Sequence, residues 1–154
     1  MENTQIHVVN ESDLHKKVVD FIRRFEPEIV LIPGLGEYQM TTSVRSSCYY
    51  KGYLGGQPDL LIINPHRRYQ GLAIELKSPT GKGVTSDKQT SYLSRLESCG
   101  YKCVVANDYD VILFELVNYA KDFVYPCKYC NSKKYYKSTF KLERHYHNNH
   151  KVEN

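Results

Sequence analysis

The chain has 154 residues, 41% of them hydrophobic and 25% charged, with a formal net charge of +4 and a pI near 8.7. That is an ordinary globular composition, long enough for one moderate domain with a small module attached, and without the bias of a disordered chain. No apolar run approaches the ~20 residues of a membrane span. The N-terminus is polar and lacks a signal-peptide core, and five cysteines make a poor disulfide framework. The expectation is an intracellular, reduced protein whose mild basicity permits a nucleic-acid partner without requiring one.

In chain order, Asn10 or Ser12 can cap a helix reaching about Phe25, with Leu14, Val18, Phe21, Ile22 and Phe25 at helical spacing. Glu26-Pro27 ends it. Residues 28–33 read as a strand and Gly34-Leu35-Gly36-Glu37 as a turn. Residues 41–53 are ambiguous between a short helix and a loop. Two short apolar runs follow, Asp59-Leu60-Leu61-Ile62-Ile63 and Gly71-Leu72-Ala73-Ile74-Glu75-Leu76-Lys77, joined through a turn at Pro65-His66-Arg67-Arg68. Residues 78–85 form a basic loop. Ser86 or Asp87 caps a helix to about Ser98, residues 101–106 form a strand, and Asp108 opens a last helix to about Asp122 with Ile112, Leu113, Leu116 and Val117 inward. This order predicts an α/β sandwich with a mixed central sheet.

The two central runs carry charge where a buried strand disfavours it. Side chains alternate along a strand, so Glu75 and Lys77 share one face and Leu76 takes the other. A hairpin would bring Asp59 beside them. Two carboxylates and an ammonium at one spot suit a hard divalent cation. As a surface ion pair the same residues would contribute little.

Asp59 follows Pro58, and fifteen residues separate it from Glu75-Leu76-Lys77. This ordered set, with Gly56-Gln57-Pro58, Gly81-Lys82-Gly83-Val84-Thr85-Ser86, Gln89 and Leu96-Glu97-Ser98-Cys99-Gly100-Tyr101-Lys102, resembles the VRR-NUC branch of the restriction-endonuclease-like PD-(D/E)XK nucleases. The resemblance spans roughly residues 10–120. It implies that Asp59, Glu75 and the backbone carbonyl of Leu76 hold Mg²⁺ or Mn²⁺. It further implies that Lys77 orients the attacking water and that Gln89 positions the site or the scissile phosphate. A further Glu often completes such sites; Glu11 is ranked slightly ahead of Glu37 on family position. The implied activity is hydrolysis of DNA phosphodiester bonds at a junction, flap or repair intermediate, by a homodimer. A non-catalytic nucleic-acid adaptor and an RNA-cleaving enzyme are the alternatives. Arg45, Lys51, Arg67, Arg68, Lys82 and Lys88 are candidate phosphate contacts around the hairpin.

Tyr125-Pro126 marks a boundary, giving a nuclease domain over 1–123 and a tail over 124–154. In the tail, Cys127-X-X-Cys130 precedes His145 by fourteen residues, and His150 follows after four more. That is close to Cys₂His₂ zinc spacing, in which about twelve residues separate the pairs. Leu142 stands three before His145, as the helix core of such a finger needs. The expectation is a small ββα finger holding Zn²⁺ through Cys127, Cys130, His145 and His150, with Lys141 and Arg144 turned toward DNA. So short a piece would draw its folding energy from the metal.

Overall fold

The computed structural model describes residues 8–34, 36, 39–81, 83–126 and 135–136. Among the described residues, four helices and six strands follow in the order α1 (Glu11–Phe25), β1 (Leu31–Pro33), α2 (Thr42–Tyr50), β2 (Leu60–Ile62), β3 (Leu72–Leu76), α3 (Asp87–Ser98), β4 (Lys102–Ala106), α4 (Tyr109–Ala120), β5 (Tyr125–Pro126) and β6 (Tyr135–Tyr136).

Helix starts follow their caps. Asn10 accepts from the Asp13 N–H, Thr41 from Val44, Ser86 from Gln89 and Asp108 from Val111, each satisfying an N–H that the first turn leaves without a partner. The ambiguous stretch 41–53 is therefore mostly helix, started by Thr41. The strand expected over 28–33 is shorter, because the backbone around residues 28–30 bonds to a side chain instead. Buried Asn64 accepts from Val30 N–H at 2.6 Å and donates to Glu28 O at 2.8 Å.

The main sheet has the order β1-β2-β3-β4. The first two pairings are antiparallel and β3–β4 is parallel, with α3 as the crossover. The sheet is thus mixed, as expected. β3 is buried along its whole length. Its even-numbered residues Leu72, Ile74 and Leu76 meet Leu14, Val18 and Ile22 of α1 and Ile112, Leu116 and Tyr119 of α4 in one core cluster. Each such buried side chain stabilises the fold by ~1.5–3 kcal/mol. The odd-numbered side, Ala73 and Glu75, faces α3. The sheet is sandwiched between α1/α4 and α3, and β3 hands its two faces to two different jobs: apolar packing and a polar site.

The hairpin loop 63–71 is anchored at the far end of the strands. His66 stacks on Tyr119 with ring centroids 4.8 Å apart, and Arg67 N–H donates to Asp122 O at 3.1 Å. Arg67 and Arg68 consequently lie at the opposite end of the hairpin from Asp59 and Glu75. Their expected place near the site is corrected by the topology: Asp59 starts β2, Glu75 ends β3, and the loop between them lies a strand's length away.

Candidate active site

The antiparallel pairing of Leu60 with Ile74 sets Asp59 level with the end of β3. Asp59 Oδ2 accepts from the Leu76 N–H at 2.7 Å. Glu75 and Lys77 share a face, as strand alternation requires, and Lys77 Nζ donates to Glu75 Oε1 at 2.6 Å. Lys77 N–H in turn donates to Ala106 O at 2.9 Å, which fixes the residue to the end of β4. The site therefore sits at the carboxyl ends of the parallel pair β3–β4, with the amino end of β2 alongside. Open α/β sheets commonly bind ligands beyond such strand ends.

Gln89 reaches this cluster from α3. Its Nε2 donates to Glu75 Oε1, and its Oε1 accepts from Lys77 Nζ at 3.2 Å. The same Oε1 accepts from Ser86 N–H at 2.9 Å, the reciprocal half of a capping box. One side chain thus terminates the helix and braces both charged residues. The four residues that the sequence singled out as the heart of the site, Asp59, Glu75, Lys77 and Gln89, are brought together.

Glu75 is 1% exposed, and its second carboxylate oxygen, Oε2, is buried without a hydrogen-bond partner. Burial is the main reason its carboxyl is pushed up to about 6, opposed by the Lys77 hydrogen bond and reinforced by the charges of Asp59 and Glu11. An acceptor buried in this way costs free energy unless something compensates it. The set carries two carboxylates against one ammonium, a surplus of negative charge. Hard oxygen donors, an orphaned buried oxygen and excess negative charge fit a divalent cation. Mg²⁺ commonly takes one or two protein carboxylates and keeps water for the rest. Asp59, Glu75 and the Leu76 carbonyl are the groups that would hold it. Among the described residues, no group of three or more His, Cys, Asp or Glu side chains is arranged to hold a metal ion.

Glu11 is the first residue of α1 and exposed; its charge acts on Glu75. Arg45 is exposed on α2, with its guanidinium donating to Gln39 O and Thr42 Oγ1, both at 3.3 Å. Lys88 is exposed in the first turn of α3, one residue from Gln89. Glu37, Lys82, Cys127, Cys130, Lys141, Arg144, His145 and His150 lie outside the described residues.

Sequence reasoning missed Tyr53. Burial first, and then the Asp59 carboxylate, raise its phenol above the ordinary value, with Glu75 contributing as well. The ring therefore stands in the electrostatic reach of both carboxylates. Only its position just ahead of Gly55-Gly56 could have hinted at this.

Residues 39–108 match the VRR-NUC domain. The matched stretch runs from just before α2 to the end of β4 and includes Asp59, Glu75, Leu76, Lys77 and Gln89, while Glu11 and Glu37 precede it. VRR-NUC is a nuclease-type family, so the domain points to phosphodiester hydrolysis. A solved structure described as a VRR_NUC domain protein shares the fold, with a TM-score of 0.60 and 22% identity, over 75% of this chain and 91% of that one. No curated protein matches the chain significantly. Among the described residues, no helix is long and apolar enough to cross a membrane.

Proposed function

We propose that the protein is a divalent-metal-dependent endonuclease that hydrolyses DNA phosphodiester bonds. The observation that carries this reading is the buried, partnerless Oε2 of Glu75 beside Asp59 and Lys77. A charged oxygen kept dry and unpaired between structural elements needs a cation to offset it. Bound there, Mg²⁺ or Mn²⁺ supplies a Lewis acid that activates water and neutralises charge growing on the phosphate.

The protein groups divide the remaining work. Asp59 and Glu75 set the cation site, and the Leu76 N–H holds Asp59 in place at 2.7 Å. Lys77 has three N–H donors, of which Glu75 and Gln89 take two. The third can hold the attacking water and stabilise its developing negative charge. Gln89 keeps Lys77 and Glu75 at fixed separation. Lys88 and Arg45 supply sequence-independent phosphate contacts.

The resemblance to small VRR-NUC nucleases extends the proposal to branched substrates (a junction, a flap or a repair intermediate) and to a homodimer. The tail is proposed to be a Zn²⁺ finger that adds DNA affinity. What supports it is the residue spacing, together with the antiparallel pairing of Tyr125 with Tyr136 and Pro126 with Tyr135.

Calorimetric titration with Mn²⁺ tests the cation site. Wild-type protein should show a binding isotherm that Glu75→Ala and Asp59→Ala each abolish. An isotherm left intact by both substitutions would place the metal elsewhere and overturn the assignment.

A further inference from the structure

Beyond the cation site, a groove of about 520 Å³ runs along the outer face of α3. It is lined by Tyr49 near the end of α2, by Leu54 and Gly55 of the following turn, and by Asp87, Lys88, Ser91, Tyr92 and Arg95 of α3. These α3 positions recur at helical spacing, rotated away from Gln89 and Leu93, which face the sheet. The volume lies in the range of ligand sites.

The groove combines flat rings with cations. Arg95 places its guanidinium over the Tyr92 ring, 5.7 Å from the centroid. Tyr49 and Tyr50 are 64% and 84% exposed, and their rings meet edge to face at 5.9 Å. Lys51 follows them directly, and Lys88 and Arg95 are exposed on the facing helix. Among the described lining residues, Asp87 is the one acid. Rings offer stacking surfaces that accept any base, and the cations offer phosphate contacts.

The groove is tied rigidly to the proposed catalytic groups. Gly56, at φ +97°, packs so closely on α3 that a Cβ there would lie 2.4 Å from Lys88 O. Gln57 Nε2 donates to Tyr92 Oη at 3.2 Å, and Asp59 follows two residues later. On α3, Lys88 and Gln89 are consecutive, one lining the groove and the other bonded to Glu75. The groove and the proposed cation site are therefore joined through consecutive residues of α3 and the 55–57 turn.

We propose that the groove binds an unpaired nucleotide of the DNA substrate, next to the scissile phosphate, by stacking its base against Tyr49 and the Arg95–Tyr92 pair. A base inside a duplex has both faces covered by its neighbours, so such a groove is filled only by a single-stranded segment. The position of the groove in catalysis rests on the nuclease reading; its affinity for bases does not.

The test is fluorescence anisotropy of the full chain, in buffer lacking Mg²⁺ and Mn²⁺, with a labelled oligothymidylate and an abasic oligomer of equal length. Wild type should bind the base-bearing strand about tenfold more tightly than the abasic one. Tyr49→Ala and Arg95→Ala should erase that preference, and Tyr49→Phe should restore it. An unchanged preference in Tyr49→Ala, or none in wild type, would overturn the proposal. So would a Tyr49→Ala variant whose sedimentation mass changes while its base preference persists, since the groove would then be a contact between copies of this chain. Cleavage of a four-way junction, a flap and a blunt duplex with Mn²⁺ is scored alongside. Cutting without base preference sinks the groove and leaves the nuclease standing; base preference lost in Tyr49→Ala, without any cutting by wild type, does the reverse.

Discussion

Burial lifts the Glu75 carboxyl from 4.5 to about 6, and the sign of the consequence follows from linkage. A folded-state value above the unfolded one means that folding favours the protonated form. The stability this provides is fully present below pH 4.5 and is lost as pH rises through about 6. At neutral pH the metal-free protein carries a deficit of up to about 2 kcal/mol at this residue. Glu75→Gln removes the charge and keeps an acceptor for Lys77. In metal-free buffer its melting temperature should exceed that of wild type at pH 7.5, and the two should converge near pH 4.5. Mg²⁺ or Mn²⁺ should then raise the wild-type melting temperature at pH 7.5 and leave the variant unmoved. Equal melting curves at both pH values would show that the carboxylate is not penalised. Gln89 is a positioning residue at the same scale. Gln89→Ala releases Glu75 and Lys77 together and should lower Mn²⁺ affinity or turnover by about 10–100-fold, read by calorimetry and by initial cleavage rates.

Helix α3 carries more than one burden. Its first turn is capped by Ser86, delivers Gln89 to Glu75, and receives the 54–57 turn that leads into Asp59. Gly56 is the contact point, with a left-handed φ and backbone within touching distance of Lys88. Gly56→Ala combines strain with a clash and should cost about 2 kcal/mol or more in urea unfolding. It should also reduce activity by shifting α3 away from the carboxylates. Normal stability in that variant would show the turn to be free of α3. Much at this scale was legible in the sequence. Asn10 or Ser12, Ser86 or Asp87, and Asp108 announce three helix starts, with Asn10 and Ser86 the caps used, and the alternation Glu75-Leu76-Lys77 announces which residues share a face. The strand expected over 28–33 was legible only in part, because Asn64, thirty-four residues from Val30, captures the backbone there. The place of Arg67 and Arg68 was hidden for a related reason. Which end of a hairpin holds the site depends on strand direction, and the loop is pinned by His66 on Tyr119 far along the chain. Tyr53 and the α3 groove escaped because each is made by pairing elements that local patterning treats separately.

For the whole molecule, the organising feature is a mixed sheet whose central strand is buried on both faces. One face feeds the core built with α1 and α4, and the other presents Glu75 to α3. That division lets charged groups be held rigidly at the strand ends without interrupting the apolar core. Residues 124–154 carry seven Lys or Arg against two Glu, so the tail accounts for the whole chain's net charge of +4, and DNA affinity that depends on it should weaken steeply with added salt.

The most direct measurement is cleavage of a panel containing a four-way junction, a flap, a nicked duplex, a linear duplex and a single strand, with Mn²⁺, by wild type and Glu75→Gln. The account predicts that wild type cuts at least one branched substrate, that chelation stops it, and that Glu75→Gln is inactive while still binding the same DNA. Undiminished cutting by Glu75→Gln, or binding without any cutting by wild type, would contradict it.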